Sequence, residues 1–220
     1  MADSQRTFIP AATYDWLLPL YDPFSRLFGS AAAHRQLIEQ AELQPGHRVL
    51  EIGCGTGSVL ALIKSRHPSV DAVGLDPDPK ALARTRRKVE RLGAGVQLDR
   101  GFSDALPYPN QTFDRVFSAL MFHHLSRDEK QRTLAEVRRV LKPTGSLHLL
   151  DFGAEHDHGG GLTTRLFGKH FRDNSPHTIL ALMRAAGFAE ATETANARLV
   201  FARIFYYRAS VPRQSSVEPM

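Results

Sequence analysis

Cysteine is nearly absent: the 220 residues contain one, Cys54, and a single thiol closes no intrachain disulfide. That scarcity argues against an oxidising compartment and for a cytoplasmic protein. No apolar run approaches the roughly 20 residues that a membrane-spanning helix needs, and no secretory leader is visible. Internal repeats and long low-complexity tracts are also missing. Acidic residues are the minority charge, 23 against 28 basic ones, which leaves a net charge of +5. Arg84, Arg86, Arg87, Lys88 and Arg91 crowd one helical stretch, and Arg127, Lys130, Arg132, Arg138 and Arg139 another. Solvated outer faces explain both clusters best; an anionic partner is the sharper alternative.

The apolar material is ample. At 42% hydrophobic the chain can bury a full core, and helix-like and strand-like segments alternate as in one α/β unit. Strands are expected near 48–52, 70–75, 96–99, 115–119, 146–151 and 199–207, with helices between them and a leading helix near 31–41. Ser126 with Glu129 forms a capping box before an apolar stripe of Leu134, Val137 and Leu141. Ser175-Pro176 supplies a cap and a first-turn proline for a helix that stops at Gly187.

The densest signal is Val49–Gly57, Val-Leu-Glu-Ile-Gly-Cys-Gly-Thr-Gly. An apolar strand carrying Glu51 runs into a turn with glycines at 53, 55 and 57, and a helix-like run from Val59 to Arg66 follows. Glycine lets the backbone turn tightly and lets a ligand approach without a Cβ in the way. A second strand ends in Asp76, 19 residues after Gly57, the interval at which a carboxylate reaches ribose hydroxyls. In the dinucleotide-binding pattern the third glycine would fall at Ser58 instead.

These residues resemble the class I S-adenosylmethionine-dependent methyltransferases, whose first motif is matched by Glu51, Gly53, Gly55 and Gly57. Gly101–Asp114 resembles the segment before their fourth strand, and Met121–Leu125 and Glu136–Gly145 the segments after it. The match covers about residues 31–152 and is nearest to the small-molecule branch that includes the quinone-biosynthesis C-methyltransferases. The resemblance implies a Rossmann-like, doubly wound, mostly parallel sheet flanked by helices, with an antiparallel C-terminal strand. That last strand would sit at the sheet edge or insert beside the fifth.

It further implies S-adenosylmethionine as cofactor, held by Glu51, Gly53, Cys54, Gly55, Gly57, Asp76, Pro77 and Leu120. Glu51 suits the cationic amine of a methionine better than it suits a pyrophosphate. Many relatives place an aspartate after the glycine at 101 to contact adenine; this chain has Phe102, with Ser103 and Asp104 as substitutes. Cys54 lies inside the cofactor loop and reads as a packed residue, which excludes chemistries that need a cysteine nucleophile at the substrate. Nucleic acid is disfavoured as a partner, because Ser118-Ala119-Leu120-Met121 replaces the Asn/Asp-Pro-Pro-Tyr element that grips a flipped base.

The expected substrate is a small, hydrophobic or aromatic acceptor. Alternatives are a phospholipid headgroup, in keeping with a peripheral membrane contact, and an RNA substrate. One domain is expected over residues 1–210, with 1–30 as a lid-like segment carrying Tyr14, Trp16 and Tyr21, and 153–174 as an insertion over the pocket. Residues 211–220 read as a disordered tail. Tyr14, Trp16, Tyr21, Met121 and His123 are the candidate acceptor contacts. Methyl transfer asks mainly for alignment and exclusion of water. A phenol or enol also needs a base, and His123 and His124 are the candidates. His156-Asp157-His158 reads as a solvated loop, not a metal site.

Overall fold

A computed structural model describes residues 30–153, 174–198 and 203–212. The N-terminal segment with Tyr14, Trp16 and Tyr21, most of the 153–174 insertion and the tail beyond Pro212 lie outside the described residues. Among the described residues, seven strands form one sheet in the order β3-β2-β1-β4-β5-β7-β6. They are β1 (Arg48–Ile52), β2 (Asp71–Asp76), β3 (Val96–Arg100), β4 (Phe113–Ala119), β5 (Leu141–Gly153), β6 (Glu190–Arg198) and β7 (Arg203–Ser210). β1 pairs parallel with β2 and β4, and β4 pairs parallel with β5. β7 runs antiparallel between β5 and β6.

The helices are α1 (Ser30–Glu39), α2 (Ser58–Arg66), α3 (Pro79–Glu90), α4 (Arg127–Val140) and α5 (Pro176–Ala185). One apolar layer joins one sheet face to α1, α2 and Leu82 of α3, through residues such as Leu37, Leu60, Phe117 and Tyr206. The other joins the opposite face to α4 and α5 through Leu50, Val116, Leu134, Leu149 and Ile179. The central strands are therefore apolar on both faces, as a covered parallel sheet requires. Both caps form as the sequence predicts. Ser126 and Glu129 exchange their side-chain and backbone bonds, and Ser175 Oγ accepts from Thr178 N.

Three expectations need correction. The last strand, expected over 199–207, is described over Arg203–Ser210 and so runs three residues further than expected, residues 199–202 lying outside the described residues, and it takes the inserted position beside β5. β6 was not expected at all. Its sequence, Glu-Ala-Thr-Glu-Thr-Ala-Asn-Ala-Arg, carries alanine where strands usually carry branched or aromatic residues. It forms because β7 offers a partner, and its exposed charges suit an edge strand. Finally, Leu141 opens β5 opposite Phe113, so Val140 completes the buried stripe of α4.

Candidate active site

The site grows from the carboxyl ends of β1, β2, β4 and β5, which parallel pairing brings side by side. After β1 the chain turns through Gly53, Gly55 and Gly57, all at positive φ. A Cβ on Gly53 would stand 2.4 Å from Met121 Cγ, whereas one on Gly55 would meet nothing within 4 Å. The loop is thus packed on one side and open on the other. Gly57 N donates to Cys54 O (2.8 Å), closing the turn, and Thr85 Oγ1 on α3 donates to Gly55 O at 2.7 Å.

Asp76 ends β2 with a buried carboxyl group. Its Oδ2 accepts from Gly55 N at 2.8 Å and its Oδ1 from Asp78 N at 2.9 Å. It therefore fixes the shape of the glycine loop. Burial, more than any neighbour, raises its pKa, and the two amide bonds oppose the rise. Pro77 follows, its carbonyl accepting from Arg100 Nε at 3.2 Å. The 102–104 segment leans on α4: Ser103 Oγ lies 2.9 Å from Thr133 Oγ1, and Asp104 pairs with Arg132 at 3.1 Å. Phe102, between Gly101 and Ser103, is half-buried.

Glu51 is 2% exposed, and its Oε2 has no hydrogen-bond partner. Burial pushes its pKa well above the usual carboxylate range; Asp76 adds to the rise, while a backbone bond from Leu60 and the charge of Lys88 oppose it. Such an oxygen beside an open glycine turn fits a ligand that brings a positive charge. Cys54 is buried as well, and its thiol pKa is raised by burial first and then by Glu51 and Asp76. That leaves it a packing residue.

On the other side of the loop, Leu120 follows β4 at φ 55°, a strained value for a branched side chain. Its N–H still bonds Leu150 O at 2.8 Å. This kink lays Met121 against Gly53 and starts the 3₁₀ turn Phe122–His124. His123 N donates to Asp151 Oδ2 at 2.7 Å, and His123 Nδ1 lies 2.6 Å from Asp151 Oδ1. Asp151 is fully buried and also accepts from Phe152 N at 2.7 Å. The His123 ring contacts His124 (4.0 Å between centroids) and Phe152 (5.2 Å). Behind this wall, buried Lys130 donates to Asn174 Oδ1 at 2.9 Å, and Asn174 Nδ2 donates to Phe152 O.

The structure thus gathers Glu51, the glycine loop, Asp76, Leu120, Met121, His123 and His124 at one end of the sheet. The motif reading omits Asp151, Thr85, Lys130 and Asn174. Asp151 carries the signal that marks Asp76, an acid at the end of an apolar strand. Lys130 gives none, because a lysine on a basic helix reads as solvated.

Residues 49–145 match a family model described as a methyltransferase domain. A demethylmenaquinone methyltransferase from Thermus thermophilus is 34% identical over 69% of this chain and 69% of its own length. The chain belongs to the class I S-adenosylmethionine-dependent methyltransferases. A ubiquinone/menaquinone biosynthesis C-methyltransferase from Bordetella avium is 36% identical over 60% of this chain but only 52% of its own. A methyltransferase structure from Aquifex aeolicus superposes with a TM-score of 0.69 and 22% identity, over 90% of this chain and 100% of that one. S-Adenosylmethionine is the cofactor of this methyltransferase family.

Glu51 then carries a measurable consequence. Burial raises the pKa of Glu51 and an adjacent cation would lower it again, so cofactor binding is expected to release protons from this group. Calorimetry with S-adenosylhomocysteine near neutral pH, in buffers of different ionisation enthalpy, should give different apparent enthalpies. Glu51→Gln should remove that difference. Equal enthalpies for the native protein in every buffer would show that Glu51 does not titrate on binding.

Proposed function

We propose that this methyltransferase acts on a small hydrophobic acceptor of the quinol type, with a histidine of the Phe122–His124 turn as general base. The observation that carries the reading is the position of that turn. Met121 packs on Gly53 of the glycine loop and the turn with His123 and His124 follows it directly, which supports a role for these histidines beside the reacting groups. The names of the Thermus and Bordetella relatives support a quinone precursor as acceptor. Phe152 and the two imidazoles cluster edge and face together, an aromatic neighbourhood that favours a flat acceptor.

S-Adenosylmethionine supplies a methyl group on a sulfonium, already a good leaving group. The chain's own part is to hold the glycine loop open at Gly55, to place a carboxylate against the ligand amine through Glu51, and to shape the loop through Asp76. A histidine base withdraws the hydroxyl proton of the acceptor, which enriches the ring carbon that takes the methyl group, and the hydrogen that this carbon carried then leaves as a proton to restore the aromatic ring.

S-Adenosylhomocysteine is expected to bind in the micromolar range, about 7–8 kcal/mol, and NAD not to bind measurably. Labelled methyl groups should pass to a reduced short-chain demethylated naphthoquinol, and not to phosphoethanolamine or to RNA. Label appearing on the headgroup amine or on polynucleotide, with none on the quinol, would overturn the proposal.

A further inference from the structure

We infer that a cavity at the end of the sheet away from the glycine loop binds a small carboxylate carried on an apolar body, with Arg138 receiving the carboxylate. The inference does not depend on the nature of the methyl acceptor. The cavity holds about 360 Å³, within the range of small-molecule sites. Leu141, Pro143, Val211 and Pro212 give it apolar walls, and no acidic residue is among those that line it. It lies where β4 and β5 begin and antiparallel β7 ends. β4 is seven residues long, so roughly 20 Å of strand separates the cavity from the turn that carries Met121.

The polar side of the cavity is held in place by the fold. Arg139 on α4 uses all its guanidinium N–H groups inside the protein: on both oxygens of Glu136, on Leu106 O and Tyr108 O, and on Asn110 Oδ1 at 2.9 Å. It therefore acts as a strut, and it leaves Asn110 Nδ2 as a donor in the cavity wall. Glu136 balances the Arg139 charge, so the positive charge of the cavity comes from Arg138. Arg138 Nε donates to Gly187 O at 2.9 Å, while its two Nη groups make no hydrogen bond with any described residue. Gly187, at φ 85°, admits this side chain, since a Cβ there would stand 3.1 Å from Arg138 Nε. One bond thus orients the guanidinium and leaves Nη1 and Nη2 as a fork, the shape that takes a carboxylate through two parallel bonds. Gln111, also in the wall, is held at φ 54°, an unusual value for a residue with a side chain. Gln111 N bonds Arg139 O at 3.0 Å and Thr112 N bonds Val140 O at 2.8 Å, which ties this strained corner to the end of α4.

The probes are 1-naphthoate and its neutral counterpart 1-naphthamide, titrated into the full chain saturated with S-adenosylhomocysteine and followed by ¹H–¹⁵N NMR. Naphthoate should bind with a Kd of about 0.1–1 mM, shift the side-chain amides of Asn110 and Gln111 and the Nε–H of Arg138, and leave Gly53 and Gly55 unmoved. The amide should bind at least 10-fold more weakly. Arg138→Gln, at an exposed position, should weaken naphthoate at least 10-fold, and Arg138→Lys should recover only part of that loss because an ammonium has no fork. Ala135→Leu, which fills the cavity from α4, should abolish naphthoate binding with S-adenosylhomocysteine affinity kept. No shift at Asn110 and Gln111 with about 10 mM naphthoate overturns the inference. So does equal affinity for naphthoate and the amide, or an Arg138→Gln protein that binds naphthoate like the native one. Shifts confined to Gly53, Gly55 and His123 would put the probe at the other end of the sheet, which overturns this inference and leaves the quinol reading standing.

Discussion

Gly57→Ala is expected to lower unfolding stability by about 3 kcal/mol and to weaken S-adenosylhomocysteine binding at least 100-fold. Two costs add. Gly57 sits at φ 73°, where a residue with a Cβ is disfavoured by about 1–2 kcal/mol. The new Cβ would also stand 2.4 Å from Thr85 Cγ2 and 2.9 Å from Thr85 Oγ1. To relieve that clash Thr85 must rotate, breaking its 2.7 Å bond to Gly55 O and leaving a buried polar pair unsatisfied, about 1–3 kcal/mol more. The damage falls on the loop that receives the cofactor, so affinity drops beyond the stability loss. Thr85→Ser removes the methyl group and keeps the hydroxyl, so Gly57→Ala with Thr85→Ser should recover part of the stability. Urea unfolding and calorimetry check both. A Gly57→Ala protein that unfolds and binds like the native one would show that Thr85 yields without cost.

Local signals carried much of this fold. The three glycines, the acid ending β2 and the caps at Ser126 and Ser175 are short-range features, each written within a few residues, and each appears where the sequence puts it. β6 had no such signal, since its alanines acquire their place only when β7 lies alongside. The later end of the last strand has the same origin: it follows the register with β5, in which Ser210 pairs with Ser146. In the site, His123 was legible because it follows a strand end. Its pairing with Asp151 joins residues 28 apart across two strands, and no local pattern announces it. Lys130 is the sharper lesson, since on its helix it looks like one solvated cation among several. Burial against Asn174 and Phe122 makes it part of the wall behind the site.

His148 should make the protein acid-sensitive, on the sheet face opposite His123. It is 1% exposed on β5, its ring tilted against Phe117 at 5.6 Å between centroids, with Nε2 2.9 Å from Ser146 Oγ and Nδ1 without a partner. Burial first, then the charges of Arg115 and Arg208, push its pKa down from 6.5 to about 3. The native protein therefore keeps it neutral, while the unfolded chain protonates it normally. Between those two values the unfolded state binds the extra proton, so stability must fall as pH drops through the window. At pH 5 the loss is about 2 kcal/mol relative to neutral pH, and it approaches roughly 4 kcal/mol near the lower end. His148→Gln keeps a group able to bond Ser146 and removes the titration. Its unfolding free energy should decline less between pH 7.5 and pH 5 than that of the native protein, by about 2 kcal/mol. Parallel declines in the two proteins would mean that His148 is protonated in the folded state. The substitution also clarifies catalysis. Turnover lost in acid through unfolding should be relieved in His148→Gln, whereas turnover lost through chemistry at the site should fall equally in both proteins.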